Sequence, residues 1–224
     1  GYTVAYAPAD EDQSDTYSFH VVVSHERLKP LLHDCFSLLP DRVYGIVEIG
    51  SRDAYRSTDV FIGESNAPMS LAEFRRVWSH YESILLEDGS IAAGANSEDP
   101  QFVEVFLDQW KGLSIHVPLH MRDELEDILQ RHGLEEVAQT WPDEHEPEDA
   151  DPESPEATEI RPVLNLDDEQ NPDLDELLLN LRHDWRLELN VDPETNVDES
   201  GRHLGRTLWH AVVIVDKAGT DEPA

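Results

Sequence analysis

From residue 143 to residue 176 the chain carries fifteen Asp or Glu against one basic residue, Arg161. Pro142, Pro147, Pro152, Pro155 and Pro162 lie in or beside this stretch, and almost no apolar side chain occurs before Ile160. Such a composition cannot bury enough apolar surface to offset the entropy of ordering the chain. Residues 142–159 therefore read as an acidic, proline-rich linker. It divides the 224 residues into an N-terminal body, 1–141, and a C-terminal unit, 160–216, with a short polar tail at 217–224.

Within the body, periods of two and of 3.6 alternate. Tyr17, Phe19, Val21 and Val23 share one phase against Ser18, His20 and Val22, which predicts a strand. Apolar residues at Leu28, Leu31, Leu32, Cys35 and Leu39 make a helical stripe, and Pro30 predicts that this helix begins late or is kinked. Strands are predicted at 43–49 and 59–62. A helix at 71–87 has the clearest start: Ser70 and Glu73 form a capping box, and Met69 can staple onto Phe74. Leu71, Phe74, Trp78, Tyr81 and Leu85 form its apolar stripe, and Gly89 offers a left-handed stop. Strands at 102–107 and 113–117 are joined by a glycine-containing hairpin loop. Pro118 then opens a helix with Met121, Leu125, Ile128, Leu129 and His132 on one face and Gly133 beyond its end.

The C-terminal unit starts with a helix capped by Asn171, with Pro172 at its first position and Leu174, Leu177, Leu178 and Leu181 as its stripe. Trp185, Leu187, Leu189 and Val191 alternate with polar residues, and residues 208–215 form a nearly continuous apolar strand. One helix and two strands are too few to stand alone, so this unit is expected to dock on the body. The expected class is α+β: a mainly antiparallel sheet with helices on one face, and an opening order that permits a ferredoxin-like start. A weak internal echo runs from Phe19-His20-Val21 and its following helix to Ile115-His116-Val117 and its own. Either a duplication or two ordinary strand–helix units would produce it.

Charge bounds the partners. Forty-nine acidic against 16 basic residues leave a formal net charge of −33. A surface of that sign repels nucleic acid and anionic membranes. Three readings of the charge stand side by side: solubility or adaptation to salt, docking to a basic protein surface, and mimicry of a nucleic acid. No apolar run reaches the roughly 18 residues that span a bilayer, and Gly1-Tyr2-Thr3-Val4 resembles no signal peptide. With one cysteine, Cys35, no disulfide forms within the chain. A cytoplasmic, reducing setting is the expectation.

No phosphate loop, dinucleotide fingerprint, zinc-binding helix, nucleophile elbow or Cys-x-x-Cys pair occurs. This weighs against an enzyme, although active sites also assemble from scattered residues. Cys35 sits on an apolar stripe and reads as a buried structural thiol rather than a nucleophile activated by His33. His20, His116 and His210 each fall on the less apolar phase of a strand. Were those strands neighbours, three imidazoles with Glu48, Glu104 or Glu188 would make a zinc site; otherwise they belong to a solvated sheet face. Two loops concentrate scarce positive charge, one with Arg52, Tyr55 and Arg56, the other with Arg202, His203 and Arg206. They suit a small anion, unless the neighbouring carboxylates engage the guanidiniums. Trp110, in a hairpin loop, and Trp141, just before the linker, either cap the edge of the core, the favoured reading, or stand exposed as an interaction spot.

The leading expectation is thus a non-catalytic binding or regulatory module for a basic protein partner. A metal-dependent hydrolase using the strand histidines and a binder of small anions are the alternatives.

Overall fold

The computed structural model describes residues 1–8, 14–50, 58–64, 67–140 and 173–190. The elements run β1 (Tyr2–Ala7), β2 (Thr16–Val21), α1 (His25–Cys35), β3 (Arg42–Gly50), β4 (Thr58–Gly63), β5 (Met69–Ser70), α2 (Leu71–Glu87), β6 (Ile91–Ser97), β7 (Val103–Leu107), β8 (Leu113–Pro118), α3 (Arg122–Arg131), α4 (Leu174–Asp184) and β9 (Leu187–Leu189). Eight strands lie in the order β1-β2-β8-β7-β6-β3-β4-β9, and β5 pairs with β3 beside them. Every pairing between these strands is antiparallel. The fold is α+β: among the described residues, a nine-stranded antiparallel sheet with four helices on one face.

The ferredoxin-like opening does not form. β2 and β3, joined through α1, stand apart in the sheet with β8, β7 and β6 between them. The reason is a strand the hydrophobic pattern hides. β6 reads Ile-Ala-Ala-Gly-Ala-Asn-Ser, without alternation and without β-branched residues after Ile91, yet all seven residues are buried. Its small side chains suit a place between β3 and β7 where neighbours' side chains lean over it. At Gly94 a β-carbon would stand 2.2 Å from the Val105 carbonyl oxygen and 2.7 Å from Phe106 Cα.

Local signals set most boundaries. The Ser70 hydroxyl accepts the Glu73 amide at 3.1 Å and starts α2. Its other end falls at Glu87 as expected, but without a left-handed Gly89: Asp88 Oδ1 accepts both the amide and the hydroxyl of Ser90. Among the described glycines, Gly133 alone has positive φ (67°), in the turn after α3. α1 begins at His25, ahead of Pro30 rather than after it, because only Glu26 loses an intrahelical partner to the proline. α3 begins at Arg122, after Pro118 closes β8 and a short 3-10 turn follows. The cap of α4 is Asp173, whose carboxylate accepts the Glu176 amide at 2.8 Å. Asn171 and Pro172, residues 142–159 and the strand expected at 208–215 lie outside the described residues.

One apolar core fills the space between the sheet and the helices. Phe19, Val21, Leu113, Ile115, Val117, Val105, Leu107, Ala93, Ala95 and Val47 supply the sheet side; Leu28, Leu31, Leu32, Cys35, Phe74, Trp78, Leu85, Leu125 and Leu129 supply the helix side. Residues 174–189 belong to the same body: β9 extends the sheet beyond β4, and Trp185 is fully buried against Phe74 and Trp78. The echo noted in the sequence has a geometric counterpart. In the β2–β8 pair Phe19 faces Ile115, Ser18 faces His116 and His20 faces Ser114, so the two strands are related by a local two-fold through the Phe19–Ile115 pair.

Candidate functional site

The site of interest is the sheet face opposite the helices. Direct pairings place Thr3, His20, Ser114, Phe106, Gly94, Ile46, Ile62 and Glu188 in one continuous row across eight strands. The adjacent row runs Ala5, Ser18, His116, Glu104, Asn96 and Tyr44. Ala92, Glu48 and Val60 form a third. Ile46 and Ala92 are buried yet stand apart from the main apolar core, as their place on this face requires. No described helix packs on this face.

Its polar groups are held partly out of water. Glu104 on β7 has a side chain 21% exposed, and burial pushes its carboxyl up to about 7. His116 on β8 stands 4.0 Å away, Nε2 to Oε1. Burial, reinforced by the neighbouring His20, lowers the affinity of that imidazole for its proton. The imidazole nearest Glu104 therefore gives it little positive charge. Glu48 on β3 is raised by burial and then by the charge of Asp108. Asp108, at the start of the β7–β8 turn, is raised by burial, against the opposing amide bond from Gly112 (2.8 Å) and the charges of His20 and Lys111.

Lys111 closes that turn in an unusual way. Its φ is 63°, and its buried ammonium donates to the Ile91 carbonyl at 2.7 Å. Burial lowers its pKa to about 8 despite Asp108 and Asp88 nearby. At the turn's tip Trp110 is 56% exposed, so it stands open rather than capping the core edge; Trp141 lies outside the described residues. Trp78 and Trp185 are in the core.

Two buried polar atoms on the face lack a partner among the described residues: Asn96 Oδ1 and His20 Nδ1. Asn96 is 9% exposed and stands between Glu104 and Tyr44 in its row. A buried acceptor without a donor costs about 1–3 kcal/mol, so Asn96 is expensive to keep unless something donates to it.

Of the residues singled out from sequence, the structure brings His20 and His116 together on adjacent strands, with Glu104 next to His116. Among the described residues there is no group of three or more His, Cys, Asp or Glu arranged to hold a metal ion. His210 lies outside the described residues, as do Arg52, Tyr55, Arg56, Arg202, His203 and Arg206. Glu188, on the edge strand β9, shares the face with the histidines but lies five or more strands away from them. Cys35 is fully buried and its thiol is pushed up to about 12 by desolvation, then by the charge of Asp34, which suits an inert packing residue.

Sequence reasoning missed Asn96 and Asp108. Asn96 sits in the strand that lacks alternation, and Asp108 follows a strand end in what reads as an ordinary turn. What the face offers chemically is a set of acceptors: Glu48, Glu104, Asp108 and Asn96 Oδ1. No family model matches the chain, and no similar protein was found among curated sequences or solved structures.

Proposed function

We propose that this chain is a binding module that engages a basic protein segment through the sheet face on which no described helix packs. One observation carries the reading. Glu48 and Glu104 stand half-buried on that face, their carboxyls raised by burial, and among the described residues no lysine or arginine pairs with either. In a chain with 49 acidic side chains, most exposed carboxylates keep full hydration and gain little from a cation. A desolvated carboxylate gains more, because the same charge pair is stronger in a lower dielectric. A basic partner would supply the missing cations, and the net charge of −33 would steer it in.

The test must separate this face from the general negative field. A fluorescein-labelled nonapeptide of alternating Gly, Ser and basic residues is titrated by anisotropy at 150 mM salt against the full chain. Glu48→Gln and Glu104→Gln should each weaken binding by about five- to thirty-fold, the range for a desolvated charge contact. Glu124→Gln and Asp127→Gln on α3, which remove the same charge elsewhere, should change it by less than about two-fold. Equal effects from both pairs would reduce the interaction to net charge and overturn the reading.

A further inference from the structure

We propose that Asn96 and Glu104 together form a receptor for a guanidinium group, so that the partner's contact residue on this face is an arginine and not a lysine. The inference rests on the binding role proposed above and specifies its chemistry.

Asn96 and Glu104 are directly paired residues of β6 and β7. Side chains in such a pair rise from the same face with β-carbons about 4.5–5.5 Å apart. Together they present three side-chain oxygens: the two of the carboxylate and Asn96 Oδ1, which has no donor among the described residues. A guanidinium carries five N–H donors in one plane, enough to engage a carboxylate through two of them and a third acceptor beside it. An ammonium is a compact, strongly hydrated charge with tetrahedral donors, and it loses more hydration on entering a half-buried site.

The surroundings agree. His116 bounds the receptor on the β8 side and is held toward its neutral form, so it does not act as a resident cation in competition with an incoming one. Phe102 lies against His116, ring centroids 6.2 Å apart, and Phe106 stands two residues from Glu104 on the same strand face. Flat apolar rings beside an acceptor pair favour the planar cation, which stacks on aromatic faces as well as donating. Tyr44 closes the row on the β3 side.

The experiment uses the full chain and two labelled nonapeptides of equal length and charge, each with three basic residues in a Gly/Ser frame, arginine in one and lysine in the other. At 150 mM salt the arginine peptide should bind about ten-fold tighter, the difference made by one charge-assisted hydrogen bond. Asn96→Ala and the isosteric Glu104→Gln should each reduce that preference to within about two-fold, while Glu124→Gln leaves it intact. In an amide-resolved NMR titration the Asn96 side-chain resonances should shift with the arginine peptide and stay put with the lysine peptide. Should Asn96→Ala fail to fold, Glu104→Gln and the Asn96 resonances decide alone. Equal affinity for both peptides, or a preference that survives both variants, overturns the receptor while the basic-partner reading stands. If neither peptide binds, both fall.

Discussion

The indole of Trp185 lies over Gly45 of the sheet, where a β-carbon would come within 3.0 Å of three of its ring atoms. Trp185 also stacks on Phe74, with ring centroids 5.0 Å apart, and on Trp78 at 6.3 Å. A residue from the far side of the acidic stretch thereby becomes part of the main core. Gly45→Ala should cost about 1–3 kcal/mol through overpacking, and Trp185→Ala about 3–5 kcal/mol. Urea melts of both variants and the double mutant provide the check. If the clash is the cause, Gly45→Ala should cost little once Trp185 is alanine.

Gly94 is tighter still, because the atoms a β-carbon would meet are backbone atoms of β7. Gly94→Ala should therefore destabilise more than Gly45→Ala, by about 3 kcal/mol or more. The same urea melts rank the two.

Glu104 couples the face to pH. Its carboxyl is raised to about 7 in the folded chain, so between roughly pH 4.5 and 7 the folded state holds a proton that the unfolded state has lost. This contribution to stability falls as pH rises through that window, and the full cost is present above pH 7. Glu104→Gln should stabilise the chain by about 1–3 kcal/mol at pH 8 and leave it unchanged near pH 4. Melts at the two pH values test this; a gain that persists at pH 4 would point to a cause other than ionisation.

The opposite sign holds between the helices. Glu82 of α2 has a side chain only 9% exposed, and it accepts from Lys29 and His33 of α1. Burial alone would raise its pKa, but those two hydrogen bonds and their charges outweigh it and leave the pKa below the ordinary value. Its contribution is present above about pH 4.5 and fades as pH falls through the lowered folded value. Glu82→Gln should cost about 1–3 kcal/mol at neutral pH. The gap from the parent chain should close as the melts are carried toward pH 3.

Cys35 is buried and its thiol is raised to about 12. Disulfide-exchange reagents should label it at pH 8 only as fast as the chain opens, with full reaction in 6 M guanidinium. Rapid labelling of the native chain would contradict its place in the core.

Legibility in the sequence followed the strength of periodic patterns. The alternation at Phe19 and Val21 and at Ile115 and Val117, and the capped stripe of α2, predict those elements and which phase of each faces the core. The same alternation assigns His20 and His116 to the face away from the core. β6 escapes notice because Ala and Gly carry neither hydrophobic contrast nor strand preference. With it goes Asn96, so the row joining it to Glu104 and His116 is invisible in the sequence, as are the Trp185–Gly45 contact and the buried state of Glu104.

What the sequence by itself determined is the α+β class, the amphipathic phase of the strong strands and helices, and the sign of the electrostatic field, since each depends on neighbours along the chain or on composition alone. Only the tertiary structure decided the strand order, the insertion of β6 between β3 and β7, and the meeting of Asn96 with Glu104. Those depend on which strands exchange backbone hydrogen bonds across long separations. A backbone ladder accepts almost any partner, and side-chain packing across the finished sheet selects among them.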